Sequence, residues 1–235
     1  MGELSGKIAL VTGAGRGIGA AVAREVAQRG AHVALLARTT AEVEEVADAI
    51  ADAGGTALPL AADVSQLNAL QEAIARVEAR FGPITILVNN AAIIGPIGPS
   101  SEIDLALWAQ TIAVNLIAAG WATRLVLPGM LAHQWGRIVN VSSGAAQGSG
   151  IRRMSAYSVS KAGLDMLTRA LAAELDDTGV VATSVYPGVV ATEMQAAIRA
   201  APESAMDAET AARFHDYHAS GALLDSAVPA RLIAA

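Results

Sequence analysis

Residues 7–19 read Lys-Ile-Ala-Leu-Val-Thr-Gly-Ala-Gly-Arg-Gly-Ile-Gly, a short apolar run followed at once by four glycines. Residues 7–12 have the length and composition of a buried strand, and residues 17–29, which stop before Gly30, have those of a helix. Glycines between a strand and a helix let the backbone approach a ligand, and the helix N-terminus offers N–H groups and a positive dipole to phosphate. The stretch therefore predicts a nucleotide-binding turn, with an ordinary glycine-rich turn as the alternative.

The turn departs from the common dinucleotide fingerprint at one position. G-x-G-x-x-G would need glycine where Ile18 stands, and the order here is T-G-x-x-x-G-x-G. The tight turn, the close backbone approach and the helix N-terminus are all kept. We therefore expect this turn also to bind a nucleotide.

Short apolar runs alternate with longer amphipathic ones along the rest of the chain. Strands are predicted at residues 7–12, 32–37, 56–61, 84–89, 137–142 and 180–186. Helices are predicted at residues 17–29, from 39 to the glycines at 54 and 55, and at 65–81, 101–131 and 155–176. Thr39-Thr40-Ala41-Glu42 is typical of a capping box, and Pro128-Gly129 is expected to disturb the fourth helix. The alternation predicts an α/β fold, a doubly wound parallel sheet with helices on both faces, as a single domain over residues 1–235.

Composition excludes several classes of protein. The 235 residues carry a net charge of −6 and no cysteine, so a disulfide framework and a thiolate metal site are ruled out, and nucleic acid is not an expected partner. Hydrophobic residues make up 53% with a mean hydropathy of +0.43, but no uncharged apolar run reaches the roughly 18 residues of a spanning helix. The N-terminus lacks the features of a signal peptide. We therefore expect a cytoplasmic protein without a membrane partner.

Tyr157 and Lys161 lie four residues apart, with Ser142-Ser143 fourteen to fifteen residues upstream of the tyrosine. Residues i and i+4 share one face of a helix, so the ammonium would lie beside the phenol. A phenol has a pKa of about 10, and a neighbouring cation lowers it. The tyrosine could then exchange a proton with a substrate, while a serine hydroxyl hydrogen-bonds the same substrate oxygen. A chance pair on an exposed helix is the alternative.

The end of the second strand indicates which nucleotide is bound. An acid there accepts the ribose hydroxyls of NAD, but this chain reads Leu35-Leu36-Ala37-Arg38, and Glu42 is explained by the helix cap. Arg38 can form a charge-assisted bond to a 2′-phosphate, and Arg16 can reach the same group. The pattern favours NADP(H) over NAD(H), with solvated surface charges as the alternative.

The sequence TGAGRGIG, the run Asn89-Asn90-Ala91 and the pair Tyr157-x-x-x-Lys161 after Ser143 occur in that order. Over about residues 5–195 the chain resembles the short-chain dehydrogenase/reductase family. The resemblance implies a Rossmann-type domain that transfers a hydride between NAD(P) and a carbonyl/alcohol pair.

The resemblance also implies roles for individual residues. Tyr157 would be the general acid/base, and Lys161 would lower its pKa and hold the nicotinamide ribose. Ser143, rather than Ser142, would be the catalytic serine, and Asn115 would position a water that links Lys161 to solvent. The residues implied in cofactor binding are Gly13, Gly15, Arg16, Gly17, Ile18, Gly19, Arg38, Asp63, Val64, Asn89, Ala91, Tyr157, Lys161, Pro187, Gly188, Val190 and Thr192. From the residues alone, Asp63 could equally cap the next helix.

The chain departs from the family pattern in two places. Ala92 stands where the fourth-strand motif usually ends in glycine, and the usual seventh strand is not found before Ala235. Residues 193–222 are expected to form a lid over the substrate, and a homodimer or homotetramer is expected through the fourth helix and the helix of Tyr157.

A small-molecule carbonyl or alcohol is the expected substrate. A 3-oxoacyl-carrier-protein reductase is the first alternative, but the acidic run Glu174-Leu175-Asp176-Asp177 would repel an acidic carrier. A non-catalytic NADP(H)-binding sensor is the alternative from another class. His215 and His218 could suggest a metal, but no further ligand is evident, so no metal site is predicted.

Overall fold

A computed structural model describes residues 2–202 and 204–235 of the chain. Its centre is a six-stranded sheet with the strand order β3-β2-β1-β4-β5-β6. Every neighbouring pair of strands is parallel, as the alternation of strands and helices predicts. The order reverses between β1 and β4, and ligands of such sheets bind beside this point at the carboxyl ends of the strands.

The helices and strands lie close to their predicted positions. The strands are β1 Ile8–Thr12, β2 His32–Ala37, β3 Thr56–Ala61, β4 Ile86–Asn89, β5 Gly136–Val141 and β6 Val180–Val185. The helices are α1 Gly17–Gln28, α2 Thr40–Asp52, α3 Leu67–Phe81, α4 Leu105–Ile112, α5 Ala118–Ala132, α6 Ser155–Glu174, α7 Glu193–Arg199, α8 Ala208–Ala219 and α9 Ala227–Ile233. A π-helical turn, Ala113–Ile117, joins α4 to α5, and a short 3₁₀ turn, Gly144–Ala146, follows β5.

The side chains of the strands alternate between two apolar cores. Ile8 and Leu10 of β1 face a core that they share with α3, α5 and α6. Ala9 and Val11 face the opposite core, shared with α1, α2 and α9. Because both faces of the sheet are buried, the strands are apolar at nearly every position, which explains why they read as continuous apolar runs.

The long fourth helix differs from its prediction. It continues through Pro128, and the disturbance lies instead at the π-helical turn around Asn115. The side chain of Asn115 holds the backbone of Ile93 there, so a tertiary contact rather than the proline accompanies the irregular turn. The continuous helix Leu105–Ala132 is long and apolar enough to cross a membrane by length and composition. It packs Ala118, Ala122, Val126 and Met130 into the core beneath the sheet.

The described region after β6 contains the helices α7, α8 and α9. Within the expected lid, Ile198 of α7, Met206 of the intervening segment and Phe214 of α8 share an apolar cluster with Tyr157. A parallel bridge joins Val190 to Leu224, so the two ends of the expected lid lie close together. Helix α9 then crosses back and packs against α1 in the second core.

Candidate functional site

A cleft of about 870 Å³ opens at the carboxyl ends of the strands. Its wall includes the glycine loop (residues 13–16), the residues that follow β2, β3 and β4, and the Tyr157–Lys161 turn of α6. Residues of α7 form the opposite wall, including Met194, Ala197 and Arg199. The cleft therefore brings the predicted nucleotide-binding turn and the predicted catalytic pair into one space.

The glycines of the loop are required by close backbone approaches. Gly13 has a φ of +64°, and a Cβ there would lie 2.9 Å from Cα of Ala91. A Cβ on Gly19 would overlap the carbonyl oxygen of Gly13. The side chain of Asn90 donates to the carbonyl oxygens of Thr12 at 3.0 Å and Gly13 at 3.1 Å, which fixes the loop against the end of β4. The sequence analysis named Asn89 for the site, but Asn90 is the neighbour that lines the cleft.

Tyr157 and Lys161 lie on one face of α6, as their spacing predicts. Both are buried, and both line the cleft. The Lys161 Nζ lies 5.8 Å from the Tyr157 ring centroid and donates to the carbonyl oxygen of Val141 at 2.6 Å. Ser143 caps the 3₁₀ turn by accepting from the Ala145 N–H at 3.2 Å, and its side chain lies close enough to the Tyr157 hydroxyl to favour the phenolate. The phenol and the ammonium therefore face the cleft, with the Ser143 hydroxyl beside the phenol.

Burial is the main cause of the shifts in the pKa of Tyr157 and the pKa of Lys161. It raises the pKa of Tyr157, while the hydrogen bond from Ser143 lowers that pKa by a smaller amount. Burial also lowers the pKa of Lys161 to about 8, although the nearby Asp165 carboxylate opposes the change. The pKa of Tyr157 is therefore raised overall, because removal of the phenol from water has the largest effect, and the lowering of this pKa by Lys161 stays a prediction.

Asn115 is buried at the π-helical turn and acts on the backbone of the cleft wall. Its side chain accepts from the Ile93 N–H at 2.8 Å and donates to the Ile93 carbonyl oxygen at 2.9 Å. It also donates to Ser160 Oγ at 3.0 Å, which ties the π-helical turn to α6 between Tyr157 and Lys161. Asn115 thus fixes the position of Ile93, which lines the cleft. Its role in holding a water stays a prediction.

Near the end of β2, the structure differs from the prediction of a capping box at the start of α2. Thr39 makes no side-chain cap bond at the start of α2, so the predicted capping box does not form. Glu42 instead lines the cleft and pairs with Arg16 at 3.3 Å. Arg16 also pairs with Glu193 of α7 at 2.5 Å, while Arg38 is exposed at the edge of the cleft. Sequence spacing missed Glu42 because a helix-capping pattern accounted for it.

Some residues of the loop that follows β6 line the cleft, and others contact Leu224. Pro187 and Thr192 line the cleft, and Thr192 caps α7 by accepting from the Gln195 N–H at 3.4 Å. Val190 is buried and pairs with Leu224, and Gly188 has a φ of +79° beside the same leucine. Gly188 and Val190 therefore shape the loop without lining the cleft.

Other predicted cofactor residues divide in the same way. Asp63 lines the cleft and accepts from the Ser65 N–H at 2.9 Å, and α3 begins only at Leu67. Asn89 is buried below the cleft and donates to Asn140 Oδ1 at 2.8 Å. The predicted residues that line the cleft are Gly13, Gly15, Arg16, Gly17, Ile18, Arg38, Asp63, Val64, Ala91, Tyr157, Lys161, Pro187 and Thr192. The predicted residues that do not line it are Gly19, Asn89, Asn115, Ser143, Gly188 and Val190.

His218, Arg152 and Arg153 lie in or beside the expected lid. Within residues 2–202 and 204–235, no group of three or more histidine, aspartate or glutamate side chains could hold a metal ion. His218 lines the cleft from the lid. Arg152 pairs with Asp207 at 3.8 Å, and Arg153 donates to the Ser204 carbonyl oxygen at 2.8 Å, so both hold the lid.

Comparison with known proteins assigns the family. The model of the short chain dehydrogenase family matches residues 7–203. A short chain dehydrogenase of Pseudocercospora fijiensis is 41% identical over 197 residues, which cover 83% of this chain and 63% of that protein. The chain thus spans less than two thirds of that relative's length.

Two solved structures are similar over most of the chain. The KRED1-Pglu enzyme is 32% identical with a TM-score of 0.90, and the match covers 97% of this chain and 93% of that one. A metagenomic short-chain oxidoreductase in complex with NADP is 40% identical with a TM-score of 0.74, over 80% of this chain and 84% of that one. The fold, the cleft and these matches together show that the chain belongs to the short-chain dehydrogenase/reductase family.

Proposed function

We propose that the protein is an NADP(H)-dependent oxidoreductase that interconverts a small-molecule carbonyl compound and its alcohol. One observation carries the proposal: the Tyr157–Lys161 pair opens into the same cleft as the glycine loop, with Ser143 beside the Tyr157 hydroxyl. A nucleotide-binding sensor would not need this set of proton-exchanging side chains. The family that the chain belongs to consists of oxidoreductases, which supports the same conclusion.

The cleft fits a dinucleotide. Its volume of about 870 Å³ lies within the range of ligand pockets. Gly13 and Gly15 carry no side chains, so a ligand can approach the loop backbone in front of the N-terminus of α1. Backbone N–H groups and the helix dipole favour a pyrophosphate there. Asp63, Val64 and Ala91 would hold the adenosine half, and Pro187, Thr192 and Lys161 the nicotinamide half. When bound, the cofactor supplies or accepts a hydride at the substrate carbon.

The protein's own residues would move the proton. Tyr157 donates its hydroxyl proton to the substrate oxygen during reduction and takes it back during oxidation. Ser143, held by its bond to the Ala145 N–H, would donate its single hydroxyl hydrogen to the substrate oxygen. Lys161, anchored on the Val141 carbonyl oxygen, places a positive charge beside the phenol as negative charge develops there.

The preference for NADP(H) rests on the charges near the end of β2. The strand ends without an acid, and Arg38 is exposed at the edge of the cleft, where a 2′-phosphate can accept from it. The solved relative in complex with NADP supports this choice. Arg16, which is paired with Glu42 and Glu193, is the weaker of the two phosphate-binding candidates.

Further features of the whole protein belong to the same proposal. Residues 193–222 act as a lid over the substrate, within one catalytic domain. Val159 and Met166 of α6 and Ile117 and Leu131 of the long helix are exposed apolar side chains, which supports a homodimer or homotetramer through these two helices. Because the chain contains no cysteine, a cytoplasmic location belongs to the same proposal.

The decisive experiment titrates the purified protein with NADPH and NADH and then follows absorbance at the nicotinamide band with ketones, aldehydes and diketones. Tight NADPH binding with carbonyl-dependent oxidation is the expected result. Cofactor binding without turnover of any carbonyl would contradict the enzymatic proposal and support a sensor. Failure to bind either cofactor would contradict the assignment of the cleft itself.

A further inference from the structure

Glu42 lies in the first turn of α2, close to the end of β2 where the adenosine ribose is expected. Its side chain is 31% exposed and lines the cleft. Its Oε2 lies 2.7 Å from the position that a Cβ on Gly15 would occupy, so the carboxylate is packed directly on the glycine loop. Glu42 follows the last loop glycine, Gly19, by 23 residues, close to the roughly 20 at which NAD-binding acids are found.

Glu42 also engages one of the two arginines that would bind a 2′-phosphate. Its Oε1 lies 3.3 Å from Arg16 Nη1, and Glu193 contacts the same nitrogen from the lid. The two carboxylates outnumber the single guanidinium, so this trio carries a formal charge of −1. Arg38 is paired with no acid within the part of the chain that the structure describes. The region thus combines cations suited to a phosphate with a carboxylate suited to a ribose hydroxyl.

We propose that Glu42 limits the preference for NADP(H), because its carboxylate repels the 2′-phosphate, occupies Arg16 and accepts from the unphosphorylated ribose of NAD(H). The inference rests on the proposed function and identifies the residue that sets its cofactor selectivity. A 2′-phosphate carries roughly two negative charges, so a carboxylate beside it opposes binding. The free ribose has no charge and offers hydroxyl donors to the same carboxylate. Removal of the Glu42 charge therefore acts oppositely on the two cofactors.

The test compares the dissociation constants of NADPH and NADH for the wild-type protein and for Glu42→Gln. We expect the substitution to tighten NADPH binding about tenfold. It should leave NADH binding unchanged or weaken it. Glu45→Gln is the matched control, because it removes the same charge from an exposed position on α2 away from the cleft. The control should leave the ratio of the two constants unchanged.

A double-mutant cycle with Arg16→Gln separates the two actions of Glu42. If Glu42 acts partly by occupying Arg16, the gain in NADPH affinity from Glu42→Gln is smaller in the Arg16→Gln background. Equal changes for NADPH and NADH, or the same change with Glu45→Gln, would overturn the inference while leaving the proposed function intact. A wild-type protein that binds neither cofactor would overturn the proposed function first.

Discussion

The burial of Tyr157 affects the protonation state of its phenol. Because burial raises the pKa of its phenol, Tyr157 keeps its proton across the neutral range and is ready to act as an acid in the reductive direction. Ser143 lies beside the hydroxyl, and Lys161 supplies the neighbouring charge. The protonated phenol supports the proposed role of Tyr157 as a proton donor.

Tyr157→Phe removes the proton donor and leaves the shape of the cleft. We expect kcat for carbonyl reduction to fall by at least about 100-fold, while the NADPH dissociation constant changes less than about threefold. Steady-state kinetics and a binding titration measure the two quantities. Tyr217→Phe, which removes a hydroxyl in the lid cluster away from the cleft, serves as the control. An undiminished rate in Tyr157→Phe would remove Tyr157 from the mechanism.

Lys161 predicts a dependence of stability on pH. Its pKa is about 8 in the folded protein and 10.5 as a free side chain, so between these values the folded state binds fewer protons than the unfolded state. The free energy of unfolding should therefore rise from pH 8 towards pH 10. The raised pKa of Tyr157 has the opposite effect only above pH 10.

Lys161→Met tests this dependence by removing the buried charge. We expect the variant to be inactive but more stable at pH 7 by about 1–3 kcal/mol, with the advantage shrinking as the pH rises to 10. Urea denaturation across this pH range measures the difference. A wild-type free energy of unfolding that stays flat between pH 8 and 10 would show that Lys161 titrates normally.

At the element scale, the strand–loop–helix unit that opens the chain depends on backbone approaches that only glycine permits. Gly19 lies in the first turn of α1 directly over the Gly13 carbonyl oxygen, with the Asn90 side chain beside it. This arrangement lets α1 start close to the end of β1, so that its N-terminus faces the cleft. The loop is therefore defined by packing between elements as well as by glycine's freedom of φ.

Gly19→Ala should displace α1 from the loop because its methyl group overlaps the Gly13 carbonyl oxygen. We expect a loss of about 1–3 kcal/mol in the free energy of unfolding and at least tenfold weaker NADPH binding. Gly98→Ala is the control, since its nearest contact would be an ordinary 3.7 Å to Ile103. Wild-type affinity in Gly19→Ala would show that the loop tolerates a side chain and that its glycines are not required for close approach.

At the scale of the whole molecule, Arg29 connects the two ends of the chain. It follows α1, pairs with Glu25 at 3.0 Å and Glu3 at 3.2 Å, and donates to the Ala234 carbonyl oxygen at 2.9 Å. Ala230 and Ile233 of α9 lie buried in the second core beside it. The arginine therefore holds a helix that seals one face of the sheet.

Arg29→Ala should loosen α9 without changing the cleft. We expect a loss of about 1–2 kcal/mol in stability and faster amide hydrogen exchange in α9, with NADPH affinity unchanged. Arg24→Ala, an exposed position on the same helix, should change stability by less than about 0.5 kcal/mol. Equal exchange rates in α9 for the two variants would show that Arg29 does not hold this helix.

The sequence by itself determined the family, the six parallel strands and the helix face shared by Tyr157 and Lys161. These follow from short-range patterns, because apolar periodicity and glycine spacing are written in consecutive residues. The same patterns misassigned Glu42 to a helix cap and placed the disturbance of the long helix at Pro128, since in both cases a local rule competed with a contact between distant residues.

The ion pairs, backbone contacts and burial of the site arise from contacts that form only when the chain folds. The tertiary structure set Glu42 and Glu193 against Arg16, placed Asn115 on the backbone of Ile93, and buried Tyr157 deeply enough to raise its pKa. Each of these depends on distances between residues remote in sequence and on how much water remains around them. Burial and long-range charge are properties of the packed molecule, and no spacing along the chain specifies them.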